Sequence, residues 1–547
     1  MPDTNLRWTV DDAYAARFTE PILNDIITRA AVKRETTVRQ LAGRHVGFFS
    51  LKPEQLPDIF IKAYHIPPLK LFRSCLAPYG VQEWHAARDL LRRGVRTHPP
   101  IALGIERTWG LYRRVYLITE AVQGSSTLKQ FVQQRGSLSH GAVPDLVGRF
   151  ARFVVAVCRA GALHRDLHWG NILIRFDPAG VPSFYLIDLH NLRLKPGLSD
   201  RDIMHNLSLL NTSFYDRVSP RLQLRFLRTV LAESHGGRRD FLRARNGIVR
   251  QTEGLMRKKW RKHAARCFGE NNYFMKVHLG PLTGHARRDD RTGACADVLH
   301  DPESLFYTKD ARIIKDSRTT SSLLISPEGV EPGVYLKRFN VKAVLHPVKH
   351  LFKRSRAEAV WRAAHAMLAR GVPTPRPRMY LEHRRSGFLG KSYFAADMVP
   401  GAVDLDTYLS AHANDLSRDG KKSVIRMLAR ELRKMHDRGV AHGDLKAKNI
   451  LITSRDGIAN GVLFVDLDAV RISPGLTQNE RCRDLARLNC SFLDRSQVSG
   501  PQRLCFLKCY AGRMPGADFK KLWKRVLFFT LRKLKKSGRN FFYPHRT

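Results

Sequence analysis

The sequence predicts an α+β chain in which one bilobal domain is written twice, each copy with a small strand-rich N-lobe and a larger helical C-lobe. Three observations lead there. The segment HRDLHWGNILI at 164–174 returns as HGDLKAKNILI at 442–452. Each copy is followed by a short apolar strand ending in aspartate, FYLIDLH to Asp188 and LFVDLDA around Asp466. In each copy strand-like segments come first and helix-like segments later.

The repeat fixes the register. His442, Asp444, Asn449, Asp466 and Asn489 each stand 278 positions after His164, Asp166, Asn171, Asp188 and Asn211. Upstream the offset drifts to 277 between Trp84 and Trp361, and to 275 between Lys62 and Lys337. A period this long is a whole duplicated domain, not a solenoid unit. A chain of 547 residues divides naturally into two such domains. The stretch LGPLTGHARRDDRTGACADVLHDPE is rich in Gly, Pro, Asp and Arg and lacks sustained periodicity. It is expected to be a linker at 276–303, between domains at 1–275 and 304–547.

In the first copy, LPDIFIKAYH around Lys62 reads as a strand, apolar and β-branched. VQEWHAARDLLRRGV reads as a helix ending near Gly94, and VYLITEAV, which carries Glu120, as another strand. DLVGRFARFVVAVCRAGA is a long helix leading into the HRDLHWGN loop, and ILIRF and FYLIDL form a hairpin-like pair. The second copy repeats this order with GVYLKRF, AEAVWRAAHAMLARGV, YFAADMV, VIRMLARELRKMHDRGV, HGDLKAKN, ILIT and VLFVDL.

These residue types suit phosphoryl transfer, which needs a positioned hydroxyl, metal ions bridging phosphates, and cations to offset charge. Asp166 and Asp444 follow the long helices, where a carboxylate can accept a hydrogen bond from an acceptor hydroxyl. Five residues on, Asn171 and Asn449 offer a neutral oxygen to Mg²⁺, and Asp188 and Asp466 offer the carboxylate. Lys62 and Lys337 lie on small-lobe strands where they can pair with nucleotide phosphates, Glu83 is the helix acid that should pair with Lys62, and Glu120 is counted with them as a cofactor-binding residue. A lone HxD is noise, but H-x-D-L-x-x-x-N-I-L-I before a strand ending in Asp is specific, and here it occurs twice at one offset. The prediction is therefore two tandem protein-kinase-like domains using ATP and Mg²⁺.

Composition narrows the partners. There are 94 Lys and Arg against 49 Asp and Glu, a formal charge of +45. Such a field attracts polyanions, and no nucleic-acid motif accompanies it. Within 522–540, LWKRVLFFTLRKLKKSGRN holds seven basic residues and no acid, with Trp523, Val526, Leu527, Leu531 and Leu534 on one helical stripe. This reads either as a surface helix for an anionic membrane or as a closing helix whose stripe packs inward. A second basic run, RKKWRKHAAR at 257–266, is expected to end the first domain. No apolar run is long enough to span a bilayer, the amino-terminal segment has no apolar signal core, and the eight cysteines form no CxxC pair.

The chain resembles the lipopolysaccharide kinase family, the Kdo and heptose kinases of Gram-negative bacteria. The resemblance rests on KDSRTTSSLLI followed by VYLKRFN, on SRAEAVWRAAHAMLARGVPTP, on both catalytic loops, and on DLARLNCSF with CFLKCY, matched earlier by NLSLLNTSF and RFLRTV. It implies a protein-kinase-like fold, ATP with Mg²⁺, and phosphorylation of a Kdo or heptose hydroxyl on a lipopolysaccharide core glycolipid. It further implies a peripheral site at the cytoplasmic face of the inner membrane. Departures are visible. Neither copy has a GxGxxG loop, the aspartates are followed by Leu-His and Leu-Asp, and only 23 residues separate Asp188 from Asn211. Glu83 directly precedes Trp84, whereas Val360 precedes Trp361 and the nearest acid is Glu358, about 200° round the helix. Asp484 stands where the first copy has Asn206, so that copy is expected to lack a brace for its catalytic loop. The alternatives are a Ser/Thr protein kinase, or one active domain paired with a regulatory pseudokinase.

Overall fold

The computed structural model describes residues 5–32, 37–41, 44–49, 56–66, 78–108, 110–134, 143–215, 217–233, 238–290, 294–308, 311–325, 333–340, 354–385, 388–412, 417–493, 498–512, 514 and 516–536. The chain forms two compact units, residues 1–256 and 257–547.

In the first unit, strands β1 (Asn5–Val10), β2 (Thr37–Leu41), β3 (Arg44–Phe49), β4 (Ile59–His65), β5 (Pro100–Thr108) and β6 (Leu111–Glu120) form an antiparallel sheet in the order β1-β5-β6-β4-β3-β2. Helix α1 (Glu20–Val32) places Leu23 and Ile26 in a cluster with Ile59, Ile61, Ile101 and Ile118. Helix α2 (Tyr79–Arg92) buries Trp84 against the other face, among Tyr64, Leu103 and Leu117. The C-lobe holds β7 (Ser125–Thr127), α3 (Leu128–Gln134), α4 (Val143–Arg159), β8 (Ala162–His164), β9 (Ile172–Phe176), β10 (Pro182–Leu186), β11 (Leu192–Leu194), α5 (Asp200–Phe214) and α6 (Pro220–Ala232). Helix α7 (Arg238–Ala265) follows, and the division between the units falls within it.

The second unit repeats this plan. Its sheet joins β12 (Phe274–Leu279), β13 (Leu282–Arg287), β14 (Ala311–Asp316), β15 (Thr320–Ile325), β16 (Val334–Phe339), β17 (Pro377–Arg385) and β18 (Phe388–Asp397) in the order β12-β13-β17-β18-β16-β15-β14. The short helix α8 (Ala294–His300) lies between β13 and β14, and α9 (Arg356–Ala369) buries Trp361. The C-lobe holds β19 (Val403–Asp404), α10 (Leu405–Ala411), α11 (Arg418–Asp437), β20 (Val440–Ala441), β21 (Ile450–Arg455), β22 (Ile458–Phe464), β23 (Arg471–Ile472), α12 (Gln478–Cys490), α13 (Gly500–Ala511) and α14 (Gly516–Lys536).

The stretch expected to be a linker at 276–303 is instead structured. β12 and β13 pair with each other, and β13 pairs with β17 from Leu282↔His383 to Ala286↔Met379. Short strands whose partners lie about a hundred residues away leave only a weak local pattern, and Gly284 is forced by the approach of the Tyr380 carbonyl, 2.0 Å from where a Cβ would sit. The basic run at 257–266 accordingly belongs to the second unit, where Arg370 lies over the buried Trp260 ring.

The apolar stripe of α14 is divided. Val526 and Leu534 are buried, while Trp523 and Leu531 are exposed; all four line a cavity of about 490 Å³ among α10, α11, α12, α13 and α14. Residues 537–540 of the predicted basic helix lie outside the described residues.

In each unit an arginine ties the helix behind the sheet to the C-lobe. Arg93, just past α2, donates to the Ala160 and Lys195 carbonyls at 2.7 and 3.1 Å. Arg370, just past α9, donates to the Arg438 carbonyl at 3.2 Å, and Arg438 donates back to the Arg370 carbonyl. These bonds hold each helix beside the segment that leads into the HxD loop.

Candidate active site

Each HxD loop is tied together by its asparagine side chain and pinned by a main-chain bond to the strand that ends in Asp188 or Asp466. The Asn171 side chain donates to the Asp166 carbonyl at 2.9 Å, and Ile187 N–H donates to the Asn171 carbonyl at 2.9 Å. In the second unit Asn449 donates to the Asp444 carbonyl at 2.8 Å, and Val465 N–H to the Asn449 carbonyl at 3.0 Å. Asp188 and Asp466 follow immediately, in left-handed conformations with φ of 63° and 59°. Only three non-glycine residues among those described have positive φ, and two of them are these equivalents; such strain concentrates at functional sites.

The small-lobe lysines reach those aspartates. Lys62 Nζ pairs with Glu83 Oε1 and lies 3.6 Å from Asp188 Oδ1. Glu83, 6% exposed, also accepts from Tyr64 Oη at 3.0 Å and from Leu189 N–H at 3.2 Å. Lys337 Nζ lies 2.6 Å from Asp466 Oδ1 and 3.0 Å from Asp468 Oδ2. Burial acts to lower the Lys337 pKa, but the two carboxylates outweigh it and hold the pKa above the ordinary lysine value. For Asp466 burial acts to raise the pKa, and Lys337 holds it below the ordinary carboxylate value.

Asp166 and Asp444 are 57% and 33% exposed, at the open side of the site. His168 Nε2 lies 3.7 Å from Asp166, and Lys446 Nζ lies 2.7 Å from Asp444. Behind them His164 and His442 are fully buried. Burial pushes His164 down to about 4, against the pull of Asp166 and Asp188, so the imidazole is neutral; burial lowers His442 likewise. Gly443 takes φ of 76°, and a Cβ there would meet the Ala469 carbonyl at 2.3 Å, which explains glycine where the first unit has Arg165.

Two carboxylates weighed in the sequence lie away from the lysines, and two further residues belong to the network around the lysine and the HxD loop. Glu120 does not join the lysine cluster: Tyr14 donates to its carboxylate, His98 bonds its carbonyl at 2.8 Å, and its N–H donates to Pro99. Glu358 pairs with Arg362 at 2.7 Å, as its rotation round the helix implies. The carboxylate beside Lys337 is Asp468, two residues after Asp466 in the LFVDLDA segment and not on the helix. The first unit also has a brace, a weaker one: Asn206 accepts from His164 N–H at 3.2 Å and donates to the Ala162 carbonyl at 2.8 Å. Asp484, 1% exposed, accepts from His442 N–H at 2.7 Å and Gly443 N–H at 3.0 Å, with His436 Nε2 at 3.4 Å.

The place of a glycine-rich loop is taken in the second unit by the β14–β15 hairpin, whose turn is the polar Ser317–Thr319. β15 lies directly on the lysine strand, with Ser322 opposite Lys337. Arg356, the first residue of α9, donates to the Thr319 carbonyl at 3.3 Å and to Asp468 at 2.9 Å.

A strand-rich N-lobe, a helical C-lobe, a strand lysine held by carboxylates, and an HxD loop tied to a strand-end aspartate define a kinase-like fold, here in tandem. A sequence profile of the lipopolysaccharide kinase (Kdo/WaaP) family matches residues 31–229 and again 306–510. The chain belongs to the lipopolysaccharide kinase (Kdo/WaaP) family. It is 33% identical over 122 residues to the 3-deoxy-D-manno-octulosonic acid kinase of Vibrio cholerae serotype O1; the match takes in 22% of this chain and 46% of that relative's length. A solved structure described as WaaP in complex with acyl carrier protein aligns with 46% of this chain and 98% of its own, at 23% identity and a TM-score of 0.35.

Proposed function

We propose that this chain is a tandem sugar kinase that transfers the terminal phosphoryl group of ATP to Kdo or heptose hydroxyls of the lipopolysaccharide inner core. One observation supports this above the others: within a chain of this family, the same lysine, strand-end aspartate and loop asparagine come together twice. Asp166 and Asp444 accept the hydrogen bond, and then the proton, of the acceptor hydroxyl. Lys62, oriented by Glu83, and Lys337 bind the nucleotide phosphates.

Asn171 with Asp188, and Asn449 with Asp466, would hold Mg²⁺. The fit is chemical: each asparagine spends its N–H₂ on a main-chain carbonyl and keeps its oxygen as the ligand atom, and an all-oxygen donor pair suits a hard cation. Bound there, the ion would neutralise charge on the phosphates. Lys337 occupies Asp466 Oδ1, so Oδ2 is the oxygen available to the ion.

A sugar acceptor is favoured over a protein one by the short connection after the metal aspartate. β11 ends at Leu194 and α5 begins at Asp200, which leaves no length for a peptide-binding platform. The test is direct. Full-length protein with ATP, Mg²⁺ and dephosphorylated core glycolipid yields phosphorylated glycolipid by mass spectrometry. Labelling of Ser/Thr peptides with no transfer to any core acceptor would reverse the reading.

The acceptor is a membrane glycolipid on this reading, and α14 suits an anionic bilayer surface. Its outer face exposes Phe528 among Lys521, Lys524, Arg525, Arg532 and Lys535. No helix among the described residues is long and apolar enough to cross a membrane. The full chain is expected to co-sediment with phosphatidylglycerol vesicles, to release as salt rises, and to bind several-fold more weakly with Phe528→Glu. Unchanged binding by that variant would remove α14 as the contact.

A further inference from the structure

The geometry points to Asp468 as the residue that positions the phosphate-binding lysine of the second unit, replacing a helix glutamate. The inference rests on the phosphotransferase reading of that unit. Its basis is a set of four exchanged positions. In the first unit Lys62 is held by Glu83 of α2, Glu83 is bonded by Tyr64, and Asp188 Oδ1 is bonded by His190 Nδ1 at 2.8 Å. The Tyr79 ring, at the first residue of α2, meets the His190 ring edge-on at 5.4 Å.

In the second unit all four residues differ together. Val360 replaces Glu83, Phe339 replaces Tyr64, Asp468 replaces His190, and Arg356 replaces Tyr79. The carboxylate has moved from the helix to the strand end. The hydroxyl that served the glutamate is gone, and the aromatic ring in its place lies under two cations, Lys337 at 5.0 Å and Arg356 at 4.7 Å. Arg356 bonds Asp468 at 2.9 Å where Tyr79 touched His190. Coordinated replacement of a buried ion pair is what stability demands, since a buried charge without its partner is costly. Neutral drift at a dead site would not be expected to rebuild the pair with a new carboxylate and a new counter-cation.

The mechanistic consequence concerns Asp466. Lys337 Nζ is shared between Asp466 and Asp468, at 2.6 and 3.0 Å. Without Asp468 the ammonium would pair with Asp466 alone and compete with a cation for it. Asp468 therefore supports both phosphate binding by Lys337 and metal binding by Asp466.

The experiment uses the full chain carrying Lys62→Ala, so that nucleotide binding reports the second unit. Mg²⁺-ATP binding is measured by calorimetry and Mg²⁺ dependence by titration at fixed ATP. Asp468→Ala is expected to weaken Mg²⁺-ATP binding about tenfold or more and to raise the Mg²⁺ requirement. Adding Val360→Glu and Phe339→Tyr, which rebuilds the first unit's arrangement, is expected to recover most of the loss. An unchanged affinity and Mg²⁺ requirement in Asp468→Ala overturns the proposal. So does failure of the rebuilt variant to recover while its melting curve matches that of Asp468→Ala. If the Lys62→Ala chain binds no Mg²⁺-ATP before Asp468 is touched, the phosphotransferase reading of this unit fails first and takes the proposal with it.

Discussion

Alanine at Asp166 or at Asp444 is expected to lower turnover at the corresponding site by about 10²–10⁴-fold, the usual contribution of a positioned general base. Both carboxylates are substantially exposed, and the pairs they make, His168 at 3.7 Å and Lys446 at 2.7 Å, lie at the surface. Exposed pairs of this kind contribute little to stability, so melting curves should be unchanged and the loss is chemical. On the proposed reaction, mass spectrometry of the glycolipid product assigns the lost phosphate to one unit or the other. Full turnover in one of the two variants would identify that unit as a non-catalytic partner. Asn replacements at Asp188 and Asp466 are cleaner probes of the proposed metal binding than Ala, because asparagine tolerates the left-handed backbone that both positions adopt.

The second large effect is structural. Asp484→Ala is expected to destabilise the protein by about 3–5 kcal/mol, because it leaves a buried histidine and two buried amides without their acceptor. Asp484→Asn, which copies the Asn206 arrangement of the first unit, should cost about 1–2 kcal/mol. Thermal denaturation gives the totals, and hydrogen exchange of 440–449 localises them to the catalytic loop. Equal losses in the two variants would mean that a neutral acceptor recovers nothing and that the whole effect rests on the carboxylate charge.

The pH dependence follows from the same groups. Burial acts to raise the Asp484 pKa, but the His436 hydrogen bond and charge hold it below the ordinary carboxylate value. The stability it contributes is complete above the unfolded carboxylate's pKa, about 3.9, and is lost as pH falls through the lower folded value. His164 acts at milder acidity. Its folded pKa is about 4, so below about 6.5 the unfolded chain takes up the proton first and stability declines.

Much of this architecture is written locally. The strands around Lys62 and Lys337, the helices of Trp84 and Trp361, and both catalytic loops have strong periodicity and fall where the pattern puts them. β1 and the β12 to β13 pair escaped because their identity depends on long-range pairing: β1 on β5, β13 on β17. Asp468 escaped for a different reason. Its type and position were plain in the sequence, but that the Lys337 ammonium would turn to a strand-end acid rather than to α9 is decided by three-dimensional reach. Asn206 was undervalued because an amide was set aside as a brace, although its oxygen accepts the same His164 N–H that an aspartate would.

Moving the lysine's counter-charge from α2 to the strand end has a consequence for the duplicated gene itself. A crossover joining the Glu83 helix to the Asp468 segment would crowd three carboxylates around one ammonium. The reciprocal product would set Val360 beside His190 and leave the lysine a single acidic neighbour. Either hybrid is electrostatically unbalanced, so gene conversion between the halves is penalised and each half keeps its own matched set.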